Sequence, residues 1–133
     1  MQFNKEIRME KMNVKPATGK LGVLCVGLGA VTSTFMTGVL MARKGLAKPV
    51  GSMTQYDKMR VGRGENKKYL HYGEIVPLAS LNDIVFGAWD VYPANAYESA
   101  VNAEVLQEKD INPVKDELEK IVPMKAAFDH NYA

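Results

Sequence analysis

The chain contains one cysteine, two histidines and one tryptophan in 133 residues. A single thiol, Cys25, excludes an internal disulfide and any zinc cluster built from several cysteines at set spacings. It fits a reducing compartment, where unpaired thiols persist. His71 and His130 have no acid or cysteine at a useful spacing, so neither points to a triad or a metal site, and no metal is expected. An Asn-x-Ser/Thr glycosylation site is also missing. So is a strong excess of charge: 17 basic against 15 acidic residues leave +2, too near neutral for a strongly basic nucleic-acid binder. The apolar share of 47% and charged share of 24% exclude a wholly disordered or fibrous chain. The length holds one domain at most. A two-domain enzyme does not fit in it, so motifs of such an enzyme would make this chain a piece of one.

What is present is unevenly placed. Residues 1–68 carry a net +9 and residues 69–133 a net −7. Residues 43–68 alone hold 8 basic and 2 acidic side chains. That stretch is either a solvated loop or a patch for phosphates of a nucleotide, a sugar, RNA or a membrane surface. Residues 1–20 are polar, with Glu6 and Glu10 arguing against a secretory or transit signal, and read as an extension ending in the turn Pro16-Ala17-Thr18-Gly19.

Residues 21–42 carry no charge. A transmembrane helix needs about 20 such residues, so a membrane anchor is one reading. The other divides the run. Leu-Gly-Val-Leu-Cys-Val has the pattern of a buried parallel strand, Gly27-Leu28-Gly29 breaks it, and Thr32, Ser33, Thr34 and Thr37 would fall at mid-bilayer in a span. Strand, glycine turn and helix account for all of these features, whereas a span accounts only for the missing charge. The helix is expected over 30–44, with Val31, Phe35 and Val39 inward alongside Met36 and Leu40, basic Arg43 and Lys44 in its last turn, and Gly45 as its stop.

Residues 45–73 read as a long, partly ordered connection. Residues 74–78 form a short strand or turn. Residues 83–88 form a second buried strand, ending at Trp89-Asp90. Pro93 is expected to open a helix with Tyr97, Val101 and Val105 inward, running to about Glu108. Asn112-Pro113 opens another, with Val114, Leu118 and Ile121 inward and Pro123 as its stop.

A strand, a glycine turn and a helix in succession make a nucleotide-binding layout. Glycines let the main chain turn sharply and approach a pyrophosphate, and the unpaired N–H groups of the helix's first turn point at the anion. Here Gly27 and Gly29 supply the turn, and Ala30, Val31, Thr32 and Ser33 the amides. The G-x-G-x-x-G pattern is incomplete: its third glycine falls on Thr32, and Lys48-Pro49 stands where a ribose-binding acid belongs. A ligand-free turn therefore stays open as an alternative. Asp90, at the end of a parallel strand, either accepts from ribose hydroxyls or caps its own turn. Arg60 and Arg63 either grip a phosphate or are solvated; Trp89 and Cys25 read as packing.

VGLGAVTSTFMTGVLMARKG from residue 26, GSMTQ from 51, RVG from 60, DIVFGAWD from 83 and the tail IVPMKAAFDHNYA together resemble the inositol-3-phosphate synthase family, also called myo-inositol-1-phosphate synthase. The resemblance covers roughly residues 14–133. It implies an α/β, Rossmann-like NAD-binding domain with parallel strands and flanking helices, incomplete here: an extension over 1–20 and a partial domain over 21–133. It further implies a cytoplasmic NAD-dependent isomerase acting on glucose 6-phosphate, a homo-oligomer (a tetramer in the family) at full length, with no nucleic acid or membrane partner. The family's G-x-G-G-N-N-G loop falls on residues 27–33, where only Gly27 and Gly29 match, leaving main-chain contacts at Ala30, Val31 and Thr32. The acid of the family's G-G-W-D matches Asp90 as an NAD contact. The catalytic lysines belong to a region beyond this chain, so no catalytic residue is expected in it. A noncatalytic nucleotide- or phosphate-binding module is the competing expectation.

Overall fold

The computed structural model describes Lys15, residues 18–127 and Asn131. The extension up to residue 14, the Pro16-Ala17 half of the expected turn, His130 and most of the tail's last six residues lie outside the described residues.

Strand β1 (Leu21–Val26) leads through the glycine turn into helix α1 (Ala30–Arg43). The uncharged run is thus cut in two, and among the described residues no helix is long and apolar enough to cross a membrane. Next come a one-turn helix α2 (Met53–Tyr56), strands β2 (Lys58–Val61) and β3 (Lys68–His71), and a one-turn helix α3 (Tyr72–Ile75). Strand β4 (Ile84–Asp90) is followed by α4 (Ala96–Asn102), α5 (Glu108–Ile111), α6 (Lys115–Leu118) and the two-residue strand β5 (Met124–Lys125). β1, β4 and β5 form a parallel sheet in that order, with Leu21 opposite Ile84 and Trp89 opposite Met124. The α/β class with parallel strands and flanking helices is what the sequence led one to expect.

The core lies on one face of this sheet. Successive strand residues point to opposite sides. Cys25, Phe86 and Ala88 pack with Leu28, Met36 and Leu40 of the turn and α1, with Ala96 and Ala100 of α4, and with Ile111, Val114 and Leu118. The other face leaves Leu24 61%, Val26 89% and Val85 47% exposed. β1, expected as a buried parallel strand, is thus covered on one face only. Parallel sheets normally carry helices on both sides, and the described residues supply them to one.

Helix α1 ends as expected. Gly45 takes φ +69°, and the N–H groups of Gly45 and Leu46 return to the carbonyls of Ala42 and Met41 at 3.0 Å each. Its buried face includes Met36, Val39 and Leu40 as expected, but not Val31 and Phe35. Ser33, Met36, Thr37, Val39 and Leu40 are buried, whereas Val31 is 84% and Phe35 44% exposed. The two hydroxyls turn inward because each bonds back to its own helix: Ser33 Oγ donates to Ala30 O at 3.3 Å and Thr37 Oγ1 to Ser33 O at 2.8 Å. Small polar residues satisfied in this way let α4 pack closely. Phe35 instead meets Phe86 edge to face, centroids 5.6 Å apart. Arg43 does more than balance the helix dipole. Its Nε donates to Leu81 O at 2.6 Å, Nη2 donates to Ile84 O, and the guanidinium lies 5.5 Å from the Phe86 ring centre, tying the end of α1 to the start of β4.

Three further expectations need correction. The connection over 45–73 contains an antiparallel hairpin, β2 with β3, pairing Lys58 with His71 and Val61 with Lys68. Helix α4 starts after Asn95, not at Pro93, because Asn95 and Glu98 form a reciprocal capping box with both bonds at 2.9 Å. It stops at Asn102, and Glu104 adopts φ +53°, so Val101 and Val105 stay exposed while Ala96 and Ala100 face in. Asn112 is not an N-cap: its backbone is already helical, and it closes the C-terminal end of the turn that starts at Glu108. Val114 and Leu118 are fully buried and Ile121 partly so, as the spacing required. Residues 74–78 begin inside the single turn of α3.

Candidate functional site

The site forms where β1 gives way to α1. Gly27 has φ +94°, a conformation that side chains disfavour, which turns the chain out of the strand. Its N–H still donates to Trp89 O at 2.7 Å, continuing the ladder with β4 by one residue. Leu28 then buries its side chain in the core, 2% exposed, while its N–H donates to Asp90 Oδ2 at 2.5 Å. Gly29 is the N-cap of α1 with ordinary φ −87°, and has no side chain to fold back over the helix end. Ser33 N–H closes the first helical bond onto Gly29 O at 3.0 Å. The amides of Ala30, Val31 and Thr32 precede that bond, so the helix itself gives them no acceptor. Gly29, Ala30 and Val31 are exposed and Thr32 is half-buried.

This arrangement suits an anion. The helix dipole contributes about 0.3–1 kcal/mol, and the amide hydrogen bonds have to supply much of the remainder. A cleft of about 250 Å³ adjoins the turn, lined by Leu28, Gly29, Ala30, Asp90, Tyr92 and Ala94 together with Ser99, Asn102 and Ala103 of α4. A larger cleft, about 570 Å³, lies at the opposite end of β1 between Lys20, Leu21 and residues 73–80, away from every residue singled out above.

Asp90 ends β4 and uses both carboxylate oxygens. Oδ1 accepts from Tyr92 N–H at 3.0 Å, and Oδ2 accepts from Leu28 N–H. The Tyr92 bond, then the Leu28 bond, hold its carboxyl below the ordinary value of 3.8 against a smaller opposing effect of desolvation. Asp90 is therefore ionised at neutral pH.

The structure thus gathers Gly27, Gly29, Ala30, Val31, Thr32 and Asp90 at one end of the sheet. Ser33 belongs with them: fully buried beneath the turn, it takes the close-packed position where the family pattern has its last glycine, a role its small size makes possible. Arg60 and Arg63 sit on the hairpin and its turn, and neither lines the cleft. His71 precedes α3, its N–H on Glu74 Oε2 at 2.7 Å, and Cys25 is half-buried against the core. Among the described residues no group of three or more His, Cys, Asp or Glu is placed to hold a metal.

Comparison with known proteins identifies the family. The family model described as myo-inositol-1-phosphate synthase, an NAD-binding domain, matches residues 21–133. The chain is 60% identical over 124 residues to inositol-3-phosphate synthase 1 of Bacteroides thetaiotaomicron, covering 92% of this chain and 28% of that protein. It is 32% identical over 128 residues to inositol-3-phosphate synthase isozyme 1 of Arabidopsis thaliana, covering 85% and 24%. The crystal structure of inositol-3-phosphate synthase from Caenorhabditis elegans superposes with a TM-score of 0.71 at 27% identity, over 86% of this chain and 25% of that one. The chain spans about a quarter of the length of these relatives. By sequence and by fold, it belongs to the myo-inositol-1-phosphate synthase family and corresponds to its NAD-binding part.

Proposed function

We propose that this chain forms the cofactor turn of an inositol-3-phosphate synthase, with Gly27, Gly29, Ala30, Val31, Thr32 and Asp90 as its NAD-binding residues. The observation that carries this reading is the exposed main chain between β1 and α1, in a chain matched by an NAD-binding family model from residue 21 onward. The residues fit the group. Beyond its own chain neighbours, no atom lies within 4 Å of where a Cβ on Gly29 would stand, so a pyrophosphate has room to reach the main chain there. The fit uses main-chain donors, which do not depend on the side chains in which the turn departs from the family pattern.

In this reading the whole enzyme converts glucose 6-phosphate to myo-inositol 3-phosphate. Bound NAD supplies the reversible oxidation of the sugar on which ring closure depends. The chain's own residues bind and orient: Gly27 turns the strand, Gly29 leaves room, and the amides of Ala30, Val31 and Thr32 donate to the pyrophosphate. Residues 21–133 act as a partial nucleotide-binding domain behind an extension over 1–20. The groups that move protons at the sugar belong to the three-quarters of the relatives' length that this chain does not span. The full-length protein is cytoplasmic and a homo-oligomer, with no nucleic acid or membrane partner.

Gly29→Val tests the turn. With φ −87° and open space around the new side chain, the fold is expected to survive. NAD affinity measured by calorimetry is expected to fall by at least about tenfold, or 1.4 kcal/mol. An unchanged affinity in a folded variant refutes the turn as the cofactor site. A second expectation is that the chain, given NAD and glucose 6-phosphate, forms no inositol phosphate. Sustained turnover by a monodisperse monomer would show that its catalytic groups are in residues 1–133 after all.

A further inference from the structure

The bond between Leu28 and Asp90 joins residues 62 apart in sequence. It begins where the sheet ladder ends. Trp89 O holds the N–H of Gly27, and the Asp90 side chain then holds the N–H of Leu28, so two consecutive residues of β4 grip two consecutive residues of the turn. The turn needs such a grip. Gly27 and Gly29 flank Leu28, and glycine has the widest backbone freedom of any residue. Leu28 is fixed on one side by its buried side chain and on the other by Asp90. Those two anchors set the direction in which the chain enters α1 and presents its first amides.

A carboxylate is otherwise an unfavourable neighbour for a pyrophosphate, because like charges repel. We propose that Asp90 is a positioning residue for the cofactor turn: it serves NAD binding by clamping the Leu28 N–H and holding the glycine turn in its anion-receiving shape. This role rests on the reading that the turn binds NAD, and adds to any contact Asp90 makes with a ribose. One oxygen of the carboxylate is given to the turn and the other to its own loop at Tyr92.

The sign of one effect separates the possibilities. NAD and inorganic pyrophosphate are titrated by calorimetry into the chain, its Asp90→Ala variant and its Asp90→Asn variant. If Asp90 positions the turn, Asp90→Ala weakens both ligands by about tenfold or more, although a repelling charge has been removed. Asp90→Asn, whose amide oxygen still accepts from Leu28, recovers most of the pyrophosphate affinity. In the ligand-free chain, the Leu28 amide exchanges with solvent more slowly than the Val31 amide and loses that protection in Asp90→Ala. Should Asp90→Ala not fold, Asp90→Leu, of similar shape and unable to accept from the Leu28 N–H, takes its place in both titrations. Weaker NAD with unchanged or tighter pyrophosphate overturns the positioning role in favour of a direct ribose contact alone. No change in either ligand reduces Asp90 to a cap on its own turn. A wild-type chain that binds neither ligand refutes the cofactor turn itself, a distinct result.

Discussion

Leu118→Ala is expected to lower stability by about 2–5 kcal/mol, the usual cost of emptying a fully buried leucine site. Leu118 has no exposed surface and packs in the cluster that joins α1, α4 and the end of the helical run. Domains of this size are stable by only about 5–15 kcal/mol. A sheet covered on one face stands toward the low end of that range. The melting temperature should therefore drop by about 7–18 °C, or the cooperative transition should vanish. Val105→Ala is the matched control. Helical spacing put Val105 inside, but it is 59% exposed, so its loss should change stability by less than about 0.5 kcal/mol. Equal effects at the two positions would contradict the packing described here.

Gly62→Ala is expected to destroy the β2–β3 hairpin while leaving the parallel sheet in place. Gly62 has φ +88°, and a Cβ there would stand 2.4 Å from the carbonyl oxygen of Asn66 and 3.2 Å from its carbon. Main chain cannot swing aside as a flexible side chain can. The left-handed conformation alone costs about 1–2 kcal/mol for a residue with a Cβ, and the clash adds to it. Exchange of the amides that bond across β2 and β3 should become fast, with those of Val23 and Gly87 in the parallel sheet still protected. Gly64→Asn is the contrast: φ is +58°, nothing lies within 4 Å, and asparagine tolerates that region, so the hairpin should persist. A protected hairpin in Gly62→Ala would show that the turn has another way to close.

These two sites mark what the sequence revealed and what it hid. The strand–glycine–helix passage over 21–45 was legible because three local signals agree: an apolar run, a glycine break and a charged, glycine-stopped end. β4 was legible from its apolar run ending at Trp89-Asp90. The hairpin was not, because every residue of β2 is exposed and charge alternates with apolar side chains on a piece with no buried face. β5 is two residues long and exists through pairing with β4, which no local pattern encodes. On α1, counting apolar residues put Val31 and Phe35 inside, whereas satisfied hydroxyls on Ser33 and Thr37 let the opposite flank pack. The candidate site divides likewise. Its residues could be named one by one from the sequence, but the bond from Asp90 to Leu28 arises only when β4 lies beside β1.

That bond also sets an order of events during synthesis. The glycine turn leaves the ribosome well ahead of its anchor, since Asp90 follows Leu28 by 62 residues. Helix α1 can form on the microsecond scale as soon as its residues emerge. The turn has to wait for β4. At about 5–20 residues per second, roughly 3–12 s pass between the emergence of Leu28 and that of Asp90. Throughout that interval the nascent chain has a helix start with free amides and no fixed approach to it. On the proposed reading, NAD meets a shaped turn only after β4 has docked, so cofactor capture comes late in the birth of this segment and cannot guide its first steps.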